Sequence, residues 1–321
     1  MSRQGQRIVI MILMLVSGFQ MTFTAQQVPC YKKKKICNYQ YLTNCYEKVA
    51  FDSVTQRYYS RKNFGVLFDG SCATCHRNGV LEQEITIVEG RRNGIDTSYY
   101  PSGCPFSSQS FLFGSPHGKS TTYYDSTFRK KSEIEHYMGK LNGAYISYDK
   151  NGDTLKYQEF QDNLPNGLKK QYFSDSRIKK INHYQMGLMH GFQIIYDEEG
   201  NELFNIHYNE GKKDNKWTYY FDNKKIARVE EWSKGLKNGA FITYNDREEV
   251  MSEQYFKKDV PIGIHKEYYA DGREKNVRIY CKKGELEEEY AFDNFGVKEV
   301  IKEKELKKKK KPKKTEGSLM N

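Results

Sequence analysis

The stretch Gly235-Leu236-Lys237-Asn238-Gly239-Ala240-Phe241-Ile242-Thr243-Tyr244 decides how this chain folds. Two glycines stand four places apart, and a tyrosine follows the second by five. With the second glycine as a mark, equivalent positions fall at 70, 94, 118, 143, 167, 191, 215, 239 and 263, every step being 24 residues except one of 25. Five places after successive marks stand Tyr99, Tyr123, Tyr148, Tyr172, Tyr196, Tyr220, Tyr244 and Tyr268. Cys75 fills that slot in the first unit and Phe292 in the last. Eight tyrosines in register by chance is on the order of one in a billion, so the chain is an internal repeat.

The spacing carries the physics. Nine places after the mark comes a second turn, written Asn78-Gly79, Asn151-Gly152 and Asp271-Gly272 in three copies. Such pairs supply the positive φ that tight hairpin turns need. Two turns per unit leave two segments of strand length. The sequence therefore predicts an all-β fold, an elongated single sheet or solenoid of about ten stacked β-hairpins. About twenty strands at ~4.8 Å would span on the order of 95 Å. A lone hairpin cannot bury an apolar face, but stacked ones can. Alternation places the first, third and fifth residues after the mark inward, as in Phe192, Ile194, Tyr196 and Ala240, Ile242, Tyr244. The eight tyrosines are then the repeating core, and a large residue such as Phe160, Tyr184, Tyr208, Trp232 or Phe256 recurs before each next turn.

The residues Gly211 to Tyr220 and Gly235 to Tyr244 resemble the MORN-repeat variant found in bacterial YwqK-type antitoxin-like proteins. The resemblance covers about residues 64–300. It implies β-hairpin arrays that contact proteins or lipids rather than one reaction. Turn glycines are replaced at Asn163, Asn215 and Asp259, and an export signal is unlike a cytosolic antitoxin. The Tyr-Asp-x-x-Gly stretches at 148–152 and 196–200 are also similar to the YD repeats of toxin-encasing shells, which run shorter.

The N-terminus reads as a signal peptide. Arg3 and Arg7 precede an uncharged run from Ile8 to Phe19, and cleavage near Ala25 fits. The run is short for a membrane span, although a retained anchor is the alternative. The chain carries a formal charge of +11. Much of it lies in Lys32 to Lys35 and in a tail containing Lys307, Lys308, Lys309, Lys310, Lys311, Lys313 and Lys314. The near-neutral body lacks the basic face of a nucleic-acid binder. The tail reads as a solvated segment, or as one drawn to an anionic envelope surface.

Seven cysteines in an exported chain permit disulfides. Cys72-Ala73-Thr74-Cys75-His76 matches the motif that attaches c-type haem, with His76 as iron ligand. It also lies in register with the repeat, which favours a structural role. Cys72 and Cys75 are too far apart on a strand to bridge each other, so partners are expected elsewhere, either Cys104 or the N-terminal cysteines, with Cys30, Cys37 and Cys45 expected to staple a cap. No metal-ligand spacing, nucleophile elbow or phosphate loop is present. Glu230, Glu231, Glu288 and Glu289 read as wet strand faces. Catalytic residues, metal ligands, cofactors and a small-molecule substrate are all expected to be absent.

The expected organisation is a signal peptide (1–25), a cysteine-containing cap or linker (26–63), the repeat domain (64–301) and a lysine-rich tail (302–321). The function it suggests is an exported, secreted or periplasmic, non-enzymatic scaffold that binds a protein partner. An antitoxin that sequesters a toxin is one alternative, and a mono-haem protein another.

Overall fold

A computed structural model describes residues 35–302, apart from 40, 41 and 64. The expected signal peptide, 1–25, and the tail lysines between 307 and 314 lie outside the described residues. The body is one antiparallel sheet whose strands follow chain order from Gly70–Cys75 to Lys298–Lys302. It comprises 23 strand segments. Arg91–Arg92, Lys212–Lys213 and Val260–Pro261 are first halves of strands that a bulge interrupts. The sheet is open. Among the described residues Lys298–Lys302 pairs only with Leu286–Phe292, and Gly70–Cys75 has its ladder with Leu81–Val88.

The two glycines of the repeat do different jobs. The first sits in a two-residue hairpin whose central residues both have positive φ, as at Met186 (47°) and Gly187 (86°). That is the type I′ geometry whose twist suits paired strands. Asn163 (70°) and Asp259 (66°) keep the conformation where glycine is lost, because short polar side chains tolerate it. The second glycine, the mark, lies in a bulge rather than a turn. Pairing runs Leu141↔His136 and then Tyr145↔Ile134, so three residues on one strand face one on the other. The other end of each hairpin closes through a bond such as Phe173 N–H to Arg177 C=O, 2.8 Å. Its positive-φ residue is Gly152, Gly200 or Gly272, or Ser176, Lys224 or Glu248 in units without the glycine.

Neighbouring units are joined along both long edges. On one, the amide of each type I′ turn donates to the unit before, as from Gly187 to Pro165 C=O (2.8 Å) and from Gly235 to Lys213 C=O (2.7 Å). On the other, tyrosine hydroxyls donate forward, from Tyr100 to Tyr123 C=O (3.0 Å), Tyr124 to Tyr148 C=O (2.9 Å) and Tyr269 to Phe292 C=O (2.8 Å).

The inward alternation expected from the mark is corrected. Phe192 is 52% exposed, whereas Gln193, Trp217, Phe241 and His265, each two places after a mark, are buried. Positive φ and the bulge break the count of alternate residues at the mark, so parity cannot be carried through it. The buried positions form one row across the sheet. Asn182↔Gln193, Gln193↔Ile206, Trp217↔Glu230 and Glu230↔Phe241 are cross-strand pairs within it.

A small cap covers the first strand. It consists of the short helix Cys45–Lys48 and the hairpin Val49–Asp52 with Arg57–Ser60. Ala73 N–H donates to Thr43 C=O (2.8 Å), and Val49 packs with Cys72, Ile85 and Ile87. An otherwise bare edge strand is thereby blocked.

Candidate interaction surfaces

The haem-attachment motif is locked into this cap. Cys72 is bonded to Cys45 and Cys75 to Cys37, with Cα separations of 5.0 and 5.8 Å. His76 Nε2 lies 2.8 Å from Tyr99 C=O, the same forward link that the tyrosines make one unit later. Thiols held in disulfides cannot add to vinyl groups, so these residues do not fit a haem. Cys104 is also disulfide-bonded, and among the described residues Cys281 is the free thiol. Among the described residues no three His, Cys, Asp or Glu side chains cluster as a metal site would require.

The sequence-derived tyrosines, Tyr99 through Tyr268, are all half-buried. Several are tied to carboxylates. Tyr148 donates to Glu133 at 2.7 Å, and burial together with that bond pushes its pKa up to about 12. Tyr268 donates to Glu253 at 3.3 Å. These hydroxyls are engaged within the protein.

The opposite face carries a feature the repeat count missed. Each mark is the direct cross-strand partner of the large residue that recurs before the next turn, as in Gly191↔Tyr208, Asn215↔Trp232, Gly239↔Phe256 and Gly263↔Tyr280. With no side chain, or only a short one, at the mark, the large ring can reach its neighbours two places along. An aromatic ladder results, through Tyr208, Trp217, Trp232, Phe241, Phe256, His265 and Tyr280, with successive ring centres 4.7–6.0 Å apart. Lys213 lies over Trp217 and Trp232, and Lys237 over Phe241 and Phe256.

The polar atoms along this ladder are paired. Trp217 Nε1 donates to His207 C=O (2.7 Å), and Trp232 Nε1 donates to Glu230 (3.0 Å), whose carboxylate also meets Arg228 (3.1 Å). Glu230 is thus buried within a network, not part of a wet face. Glu231 caps the next bulge, accepting from Ala240 N–H at 2.9 Å, as Glu159 does from Leu168 N–H at 2.6 Å. Burial lowers the pKa of His265, which favours the neutral ring.

The edge formed by the type I′ turns is different, because its apolar groups face solvent. Phe113 (61%), Met138 (50%) and Met186 (59%) occupy the first turn position in three units, and Tyr137, Leu164 and Leu188 flank the turns. A side chain placed at Gly187 would meet Leu164, and one at Gly211 would meet Leu188, so in these two units the apolar group rests on the next turn. The result is a ridge of large exposed side chains on a hydrogen-bonded column. His117 joins this column. Its ring packs at 5.2 Å on Tyr137, and its Nδ1 accepts from Met138 N–H at 3.4 Å.

No family model and no curated protein matches this chain. Among solved structures it is similar to a chain in the crystal structure of TcdB2-TccC3-Cdc42, at 10% identity over 78% of this chain and 18% of that one, with a TM-score of 0.17. A chain of the Photorhabdus luminescens Tc holotoxin pore bearing a TccC3 mutation gives 10% identity, 78% and 15% coverage, and a TM-score of 0.15. This chain spans less than a fifth of either. At such scores the likeness carries no argument.

Proposed function

We propose that this protein is an exported, non-enzymatic repeat scaffold of the MORN-variant type that docks a protein partner along its turn ridge. One observation carries the reading: Phe113, Met138, Leu164, Met186 and Leu188 stand exposed on consecutive, mutually bonded turns. Large apolar side chains in one exposed strip mark interaction sites, and a rigid column keeps their ordering cost low. The disulfides of the cap suit an oxidising compartment, which supports export. The lysine-rich tail would add attraction to an anionic envelope surface.

The test is affinity capture from the native envelope, using the mature chain, the Met138→Asn/Met186→Asn double variant, and a version ending at Ile301. Asparagine accepts the turn's positive φ, so the fold is retained. Loss of the captured protein with the double variant supports the ridge. Capture that is indifferent to the ridge and lost only with the tail overturns it.

A further inference from the structure

The cap does not close fully on the sheet. Between the hairpin Val49–Asp52/Arg57–Ser60 and the strand end Phe111–Ser115 lies a cleft of about 640 Å³, within the size range of ligand sites. Phe51, Tyr58, Phe111 and Phe113 bring four aromatic rings to its walls, and Arg91 and Arg92 bring two guanidiniums. Among the described residues no carboxylate lines it.

The two arginines have different duties. Arg92 clasps the cap. Its Nε donates to Tyr58 Oη at 3.0 Å, it pairs with Asp96 at 3.2 Å, and it lies over the Phe111 ring. Arg91 is exposed and makes no ion pair among the described residues. A side chain at Gly114 would meet its methylenes, so its stem lies along the turn that bears Phe113. Phe51 and Phe113, on separate elements, remain 51% and 61% exposed.

We propose that this cleft binds an extended acidic peptide segment bearing an aromatic residue. The aromatic side chain would lie among Phe51, Phe111 and Phe113, and a neighbouring carboxylate would take the fork of Arg91 bidentately. A single unpaired cation, Arg91, beside an Arg92 already held by Asp96 suits a short acidic motif rather than a polyphosphate strand. The site is separate from the Met138–Leu188 part of the ridge, so either reading can fail alone.

Calorimetric titration of the mature chain with the peptide Ac-Glu-Phe-Asp-Phe-Glu-NH2, against Ac-Lys-Phe-Lys-Phe-Lys-NH2, tests it. The acidic peptide should bind at least about tenfold more tightly. Arg91→Glu and Phe113→Asn should each weaken it by about tenfold or more, with unchanged circular dichroism. Lys212→Glu, on a distant turn, should leave it unaltered. Equal affinity for the two peptides, absence of binding, or indifference to Arg91→Glu overturns the proposal.

Discussion

The ammonium of Lys213 lies 4.1 Å from the centre of the Trp232 ring and 4.4 Å from that of Trp217. One cation thus serves rings on adjacent strands, at the widest step of the aromatic ladder, 6.0 Å. Lys213→Met keeps the stem and removes the charge. It should cost about 0.5–2 kcal/mol, read as a lower urea midpoint by tryptophan fluorescence. The same change at exposed Lys216 should leave the midpoint in place.

Marks differ in what fills the space above them. At Gly239 φ is 125°, and a Cβ would fall on the Glu231 carboxylate that caps the bulge. At Gly263 φ is 72° and nothing lies within 4 Å. Gly263→Ala should therefore cost only backbone strain, about 1–2 kcal/mol. Gly239→Ala should cost more, because Glu231 must also leave Ala240 N–H. Denaturant titration of the two variants side by side gives the order.

Asp96 gives stability a pH dependence of known sign. Burial is the main cause that raises its pKa to about 6, against the opposing pull of Arg92 and the Thr86 N–H. The folded chain holds this proton more tightly than the unfolded one. The contribution is fully present below about pH 4 and is lost as pH rises through about 6, a change of about 3 kcal/mol at most. Thermal melts at pH 4.5 and 7.5 should show Asp96→Asn gaining on the wild type at the higher pH. Equal differences at both pH values would contradict this.

The cap disulfides span 27 and 38 residues. Chain-entropy arguments give each about 3.5 kcal/mol. Reduction should lower the melting temperature and speed exchange at Ala73 N–H, which the cap protects through Thr43. Amide exchange with and without reductant reads both the loss and its location. Amides around Trp217 should be indifferent.

What was legible in the sequence was whatever a single residue type had to supply. Gly187 and Gly239 are needed for positive φ, and the tyrosine slot repeats because every unit is alike. Period, hairpins and strand number follow from those alone. The buried row was not legible, because Asp96, Gln158, Asn182, Gln193 and Glu230 are polar and carry no hydrophobic signal. The bulge at each mark also breaks the alternation by which faces are assigned. Trp217 and Trp232 were visible as large residues, but their contact depends on cross-strand register, which spacing does not give. The partners of Cys72 and Cys75 were open for the same reason. The exposed Met138 and Met186 carried a cue that was not used: a large apolar residue before a turn glycine has nowhere to be buried.

Each strand makes its substantial contacts only with its neighbours in the sheet, and among the described residues the covalent staples, at Cys72, Cys75 and Cys104, all lie in the first units. Under load or attack by a protease, such a molecule has a weak end and a strong one. Disassembly should begin at Lys298–Lys302 and travel backwards hairpin by hairpin, leaving shortened but still folded remnants anchored at the disulfides.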